Sequence, residues 1–321
     1  MEILFILDTN AYRRLVTGKR LCEVRPTANE MRIRERKLGC RSLMSITVSM
    51  ELMRHLDKTD PFFKECYKAL ALQYHHTQKN PDGLNNSIDF IPPQDEILSK
   101  FFFDKASPLF RQFLEVIGTQ ERIVKDLDEN KVDEELNNLN AISAQLLYEK
   151  NVIKDNFEGF IKSYTGGTID WSYFKKEKVV KPKLLKDIKS GKLLRLFTLA
   201  MLNRVHTVHE LPFDDEKIDP KFEKPLVEFY SYFQPLLILV QKLFTKILDG
   251  VVAMFDVRNP KWNTYNDIQI LAAACYAAYR DRSNDVKVVL VTDDNGIHNA
   301  CKGTYMEDNI WTLNKYVSYI Y

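Results

Sequence analysis

The chain has 321 residues, 45% of them apolar, with 19 Phe and 15 Tyr. That composition supports a sizeable core and excludes global disorder, and at ordinary domain sizes the length corresponds to about two domains. The formal net charge of +2 says little about partners until its distribution is read. Between residues 13 and 41, Arg13, Arg14, Lys19, Arg20, Arg25, Arg32, Arg34, Arg36, Lys37 and Arg41 stand against only Glu23, Glu30 and Glu35. This segment carries +7, leaving −5 for the rest of the +2 chain. The asymmetry predicts a basic patch on a mildly acidic body.

The five cysteines, Cys22, Cys40, Cys66, Cys275 and Cys301, form no CxxC pair. An odd number at irregular spacing indicates neither a disulfide framework nor a zinc site, and a reducing cytoplasm is the expected location. The first apolar run is too short for a signal peptide and is interrupted by Asp8. No apolar run nears the roughly 18 residues of a membrane helix, so no membrane contact is expected.

In chain order, Ile3–Leu7 reads as a buried strand, apolar on both faces, running into Asp8-Thr9-Asn10. A short helix is expected over Asn10–Val16. "LMSITV" (43–48) reads as a second strand, with Ser49 capping a helix that carries Glu51 in its first turn. From Pro61 on, helical spacing dominates, as in Phe110, Phe113, Leu114 and Ile117, or Leu136, Leu139, Ile142 and Leu146. Loops are expected at "KNPDGLNN" (79–86) and "SYTGGTIDW" (163–171), a long helix kinked at Pro235 over 222–249, and no strand between about 60 and 250. "NDIQILAAACYAAYR" (266–280) reads as a helix with Asp267 in its first turn. "VKVVLVTDDNG" (286–296) reads as a buried strand ending on Thr292, Asp293 and Asp294, and "IWTL" (310–313) as a last strand. The two ends of the chain therefore form an α/β unit with a parallel sheet, interrupted by an all-helical insertion. The expected parts are 1–58, 59–249 and 250–321.

Ligands of open α/β sheets bind beyond the carboxyl ends of the strands. Asp8 and Asp294 sit at two such ends, and Glu51 and Asp267 begin helices expected at the same edge. Four converging carboxylates repel one another, and a divalent cation, Mg²⁺ or Mn²⁺ by the oxygen-only donor set, relieves that repulsion. Taken singly, each acid has an ordinary explanation: Asp8 as a strand-end cap, Glu51 and Asp267 as first-turn helix acids, Asp293-Asp294-Asn295-Gly296 as a turn. The specific feature is four acids, in order, each at an element boundary.

"LDTN" (7–10), "SMELMRHL" (49–56), "NDIQILAAA" (266–274) and "VTDD" (291–294) resemble the motifs of PIN-domain nucleases. The resemblance covers 1–56 and 250–321, about one PIN domain. It implies a PIN-like parallel central sheet flanked by helices, Mg²⁺ or Mn²⁺ held by Asp8, Glu51, Asp267 and Asp294, and hydrolysis of phosphodiester bonds, in RNA rather than DNA, by metal-activated water. It also implies auxiliary roles for Asn10, Thr292 and the neighbouring Asp293. The chain departs from the family in separating Glu51 from Asp267 by 216 positions, which places substrate choice and regulation in question.

Arg13, Arg14, Lys19, Arg20, Arg32, Arg34, Arg36 and Lys37 follow Asp8 closely. Their functional reading is contact with a nucleic-acid backbone; their ordinary reading is a solvated helix face with charge pairs. Asp256 is a turn former with a weaker claim as an extra acid. His75, His76, His206 and His209 read as structural, "TGGT" as a loop, and Trp171, Trp262 and Trp311 as core or interface. No Ser or Cys stands in a nucleophile setting, so no covalent intermediate is expected. Two rival readings remain. One is a non-catalytic binding or scaffold protein acting through the insertion, which also offers a surface for a second copy or a regulatory protein. The other is a haloacid dehalogenase-type phosphatase, whose Asp-x-Asp motif is broken here by Asn10.

Overall fold

The structure, a computed structural model, describes residues 1–79, 87–168, 179–214, 217–282 and 284–321. Most of the 79–86 loop, the end of the 163–171 loop and Trp171 lie outside them.

The fold is α/β. Strand β1 (Glu2–Leu7) is central, and β2 (Cys40–Ser42), β5 (Val286–Val291) and β6 (Ile310–Trp311) complete a four-stranded sheet of order β2-β1-β5-β6. All neighbours are parallel, with Ile3 opposite Cys40, Leu7 opposite Val291 and Leu290 opposite Ile310. Ile3–Leu7 are all buried, as a strand covered on both faces requires. A two-stranded parallel pair, β3 (Met44–Ser45) with β4 (Phe90–Ile91), extends the β2 side.

Helices α1 (Thr9–Val16), α2 (Val24–Lys37) and α3 (Ile46–Met53) belong to the first part of the chain. The middle supplies α4 (Phe63–His76), α5 (Gln94–Phe103), α6 (Phe110–Val124), α7 (Lys131–Glu134), the 30-residue α8 (Leu136–Thr165), α9 (Val180–Lys189), α10 (Lys192–Val208), α11 (Glu223–Tyr232) and α12 (Gln234–Leu248). The last part has α13 (Thr264–Arg280), α14 (Asn295–Cys301) and α15 (Leu313–Ile320). Helix α4 packs on α1, α2 and α3, and one continuous hydrophobic core joins strand residues such as Phe5 to insertion residues such as Phe157 and Phe244. Among the described residues no helix is long and apolar enough to cross a membrane.

Six local expectations are corrected. The β-branched run Ile46-Thr47-Val48 is helical, because α3 packs against α4, α6 and α8 and that burial outweighs strand propensity. Ser49 is consequently not a cap: it lies inside α3, fully buried, and its hydroxyl donates to Gln73 Oε1 at 2.9 Å. Glu51 sits in the second turn rather than the first. The middle of the chain does contain a strand, the two-residue β4. Pro235 does not kink one helix. It stands in the first turn of α12, after a break at Phe233, where its missing N–H costs nothing. The last strand stops at Trp311, and Thr312 caps α15 instead.

Candidate active site

Parallel topology sends one edge of the sheet the carboxyl ends of β1, β2 and β5. Helix α13 runs back to the start of β5, so its own N-terminus lies at that same edge. Asp8 follows β1, α3 follows β2 and β3, and Asp294 follows β5. All four predicted acids are therefore brought to the same edge of the sheet by connectivity alone, as the carboxyl-end rule expects.

Asp8 is buried, 4% exposed. Its Oδ1 caps α1, accepting from the Ala11 N–H at 2.6 Å, and its Oδ2 accepts from the Thr292 hydroxyl at 2.5 Å. Burial nevertheless dominates, and the pKa is pushed up to about 7; the Thr292 and Ala11 bonds pull it back, and Glu51 and Asp293 push with burial. Asp8 is thus at once a helix cap and a carboxylate buried at the carboxyl edge of the sheet. Thr292 is fully buried; besides donating to Asp8, its oxygen accepts from the Asp294 N–H at 3.0 Å. One hydroxyl therefore fixes the first acid and the backbone of the fourth, an orienting role for Thr292.

Glu51, half-buried, accepts from the Thr9 hydroxyl at 2.5 Å and from Asn266 Nδ2 at 3.0 Å. Asp267, one residue further along α13, has no hydrogen bond or ion pair among the described residues. Burial pushes its pKa well above the ordinary value, and Asp294, Glu51 and Asp8 push it further. Beside it, the buried Asn266 keeps its Oδ1 without a partner among the described residues. Asp294 caps α14 through Oδ1, accepting from the Ile297 N–H at 2.9 Å.

Asp293 is differently employed. It pairs with Arg14 and accepts from the Leu313 N–H at 3.1 Å, tying α1 to the start of α15. Asn10 is exposed and lines, with Arg13, Arg14, Glu65, Asp293, Asp294 and Asn295, a surface pocket of about 510 Å³ at the cleft mouth. Asp256 is an exposed turn residue, its N–H donating to Ala253 O at 3.3 Å.

The basic segment spends its charge internally. Arg13 pairs with Glu65, Arg14 with Asp293, Arg20 with Glu23, Arg34 with Glu30 and Arg41 with Glu2 and Asp89. Arg32 is buried and donates to His75 O at 3.0 Å; Arg25 and Arg36 donate to the Lys125 and Lys79 carbonyls. Arg13 and Arg14 border the cleft. Arg34, Arg36 and Lys37 sit at the end of α2 that leads into β2, at the opposite edge of the sheet. Lys19 is half-buried beyond α1 and Lys37 is exposed. Of the histidines, His206 Nδ1 meets Pro212 O at 2.7 Å and His209 Nε2 meets Ser99 Oγ at 3.2 Å; His75 and His76 lie buried under the sheet's far edge, and Trp262 and Trp311 are in the core.

Sequence reasoning missed Thr9, Asn266 and Lys150. Thr9 and Asn266 are adjacent to motif acids, and their polarity at otherwise buried positions was the available signal. Lys150, on insertion helix α8, is 2% exposed; its ammonium donates to Asn263 Oδ1 at 3.2 Å, and burial lowers its pKa to about 8. It feels Glu51 and Asp267, 99 and 117 positions away in the chain, which no local pattern reveals.

The donor set fits a hard divalent cation: oxygen donors only, an unpaired repelled carboxylate, and an orphan amide oxygen beside it. Among the described residues no three acidic, imidazole or thiolate groups stand together closely enough to hold a metal ion. Compared with protein-family models, curated proteins and solved structures, the chain matches none.

Proposed function

We propose that the chain is a Mg²⁺- or Mn²⁺-dependent nuclease of PIN-like type. The observation that carries this reading is Asp267: a carboxylate with no partner among the described residues, held among Asp8, Glu51 and Asp294 at the carboxyl edge of a parallel sheet. Such an arrangement is costly unless a cation completes it. A divalent ion bound there supplies neutralisation of the phosphate and activation of water. The protein's own part is orientation. Thr292 holds Asp8 Oδ2, Thr9 and Asn266 hold the two oxygens of Glu51, and the α14 cap holds Asp294 Oδ1. RNA as the preferred substrate follows from the resemblance alone.

The test compares native protein with Asp267→Asn on labelled single-stranded RNA and DNA, each with Mn²⁺ or EDTA. Metal-dependent cleavage should fall by about three orders of magnitude in the variant, the equivalent of several kcal/mol of lost electrostatic stabilisation. Absence of cleavage and of calorimetric Mn²⁺ binding in the native protein would sink the proposal and favour a scaffold acting through the insertion.

A further inference from the structure

Four cations beside the cleft make no ion pair among the described residues. Lys242 and Lys246 lie one turn apart on α12. Lys242 reaches Gly296 O at 3.4 Å, next to the Asp294 cap, and Lys246 is exposed and within electrostatic reach of Asp267. Like charges at this spacing repel, and Lys242 is further disfavoured by partial burial. On the other side, Arg54 follows Glu51 by one helical turn, and among the described residues its guanidinium meets only the His55 ring, at 3.4 Å. Lys150 is within electrostatic reach of Arg54 and is bonded to Asn263. Asn263, Asn266 and Asp267 share one face of the first turn of α13, so Lys150, Glu51 and the unpaired acid converge there.

The contrast with the basic segment is chemical. The arginines of residues 13–41 have spent their charge on carboxylates and carbonyls. These four make no ion pair among the described residues: Lys242 donates only to the Gly296 carbonyl and Lys150 to the Asn263 amide, and the three lysines stand within electrostatic reach of Glu51, Asp267 and Asp294. Unspent cations beside an unspent acidic cluster complement a ligand that brings both a phosphate chain and a metal ion. We propose, building on the nuclease reading, that lysines of the helical insertion, together with Arg54 at the end of α3, form the phosphate-binding walls of the cleft. Lys242 and Lys246 form one wall, Arg54 with Lys150 the other, and a single-stranded polynucleotide crosses between them.

The experiment measures binding of a labelled single-stranded RNA, and of the matching DNA, by fluorescence anisotropy in EDTA over a range of salt. Each lost phosphate contact lowers the magnitude of the log K against log salt slope by about 0.7 for single strands. Lys242→Gln/Lys246→Gln should therefore lower it by about 1.4, and Arg54→Gln by about 0.7 more, equally for RNA and DNA. The control pair Arg34→Gln/Lys37→Gln should leave the slope unchanged. An unchanged slope in the Lys242/Lys246 pair, a reduced one in the control, or an effect confined to RNA would overturn the proposal. Calorimetric Mn²⁺ binding by the same proteins separates the two ideas. Failure of the native protein to bind Mn²⁺ counts against the nuclease reading, whereas the salt slopes judge the phosphate walls directly.

Discussion

The two edges of the sheet handle buried carboxylates in opposite ways. At the amino edge, Glu35 is 1% exposed and lines a pocket of about 590 Å³ with Arg32, Arg36, Arg41 and His76. It accepts from the Ser42 hydroxyl at 2.7 Å and the Tyr316 hydroxyl at 2.6 Å, and the His76 ring lies 3.1 Å away. Burial pushes its pKa up, but His76, Tyr316 and Ser42 together bring it below the ordinary value. At the carboxyl edge, the same burial raises Asp8 and Asp267, because their charged neighbours are other acids. At the amino edge a cationic and hydroxyl environment favours the charged carboxylate; at the carboxyl edge neighbouring acids disfavour it. An open charge balance, rather than cavity size, distinguishes a site that awaits a ligand from one that holds the fold together.

This contrast is sharpest at Glu35→Ala. The substitution strands the Ser42 and Tyr316 hydroxyls and the His76 ring in the core, and breaking a buried pair of this kind costs about 3–5 kcal/mol. Chemical denaturation should register that loss while Mn²⁺-dependent cleavage per folded molecule stays native. A tenfold fall in cleavage at retained Mn²⁺ affinity would mean that the amino edge takes part in the chemistry.

The next effect is read through pH. Asp8 ionises near 3.8 when unperturbed and about 7 in the fold. Folding therefore takes up a proton between those values, and stability falls as pH rises through that window. Asp267 shifts in the same direction and adds the same sign. A bound divalent cation replaces those protons, so Mn²⁺ should raise the melting temperature little near pH 5.5 and strongly near pH 8. At a hundredfold excess over Kd the gain is about 2.7 kcal/mol. Glu149, buried in the insertion and also pushed up to about 7, adds a parallel loss of stability with pH that Mn²⁺ does not correct. An equal Mn²⁺ gain at both pH values would break the comparison between the edges.

The comparison also separates what a sequence displays from what it hides. Strands β1 and β5, and the acids at the element boundaries beside them, were legible because each is announced locally, whereas the short β2 and β4 were not. Ile3–Leu7 is an apolar run too short for anything but a buried strand, and Asp8, Asp267 and Asp294 stand at its end or at element starts. Ser49 and Glu51 were placed one turn wrong because Ile46-Thr47-Val48 has strand propensity, and only packing against α4, α6 and α8 makes it helical. The charge run at 13–41 was visible but its meaning was not. Its partners Glu65, Asp89 and Asp293 are distant in sequence and meet it only in the fold. Lys150, Lys242 and Lys246 were silent for the converse reason: lysines on a long helix are ordinary until the fold sets them beside Asp267.

The smallest change in stability offers the finest test of the open edge. A Cβ added at Gly296 would stand 2.7 Å from Asp294 Oδ1, so the cap carboxylate must move. Gly296→Ala improves helix propensity by about 1 kcal/mol and weakens the cap by a similar amount, so stability should change by less than about 0.5 kcal/mol. If Asp294 also holds the metal, Mn²⁺ affinity should fall about 10- to 100-fold, as it does when a ligand's supporting geometry is disturbed. Unaltered Mn²⁺ binding in calorimetry would make Asp294 a helix cap alone and would remove one of the four carboxylates from the site. Weakened binding at unchanged stability would separate the two duties of that side chain, which no deletion of the carboxylate can do, because deleting it removes cap and ligand together.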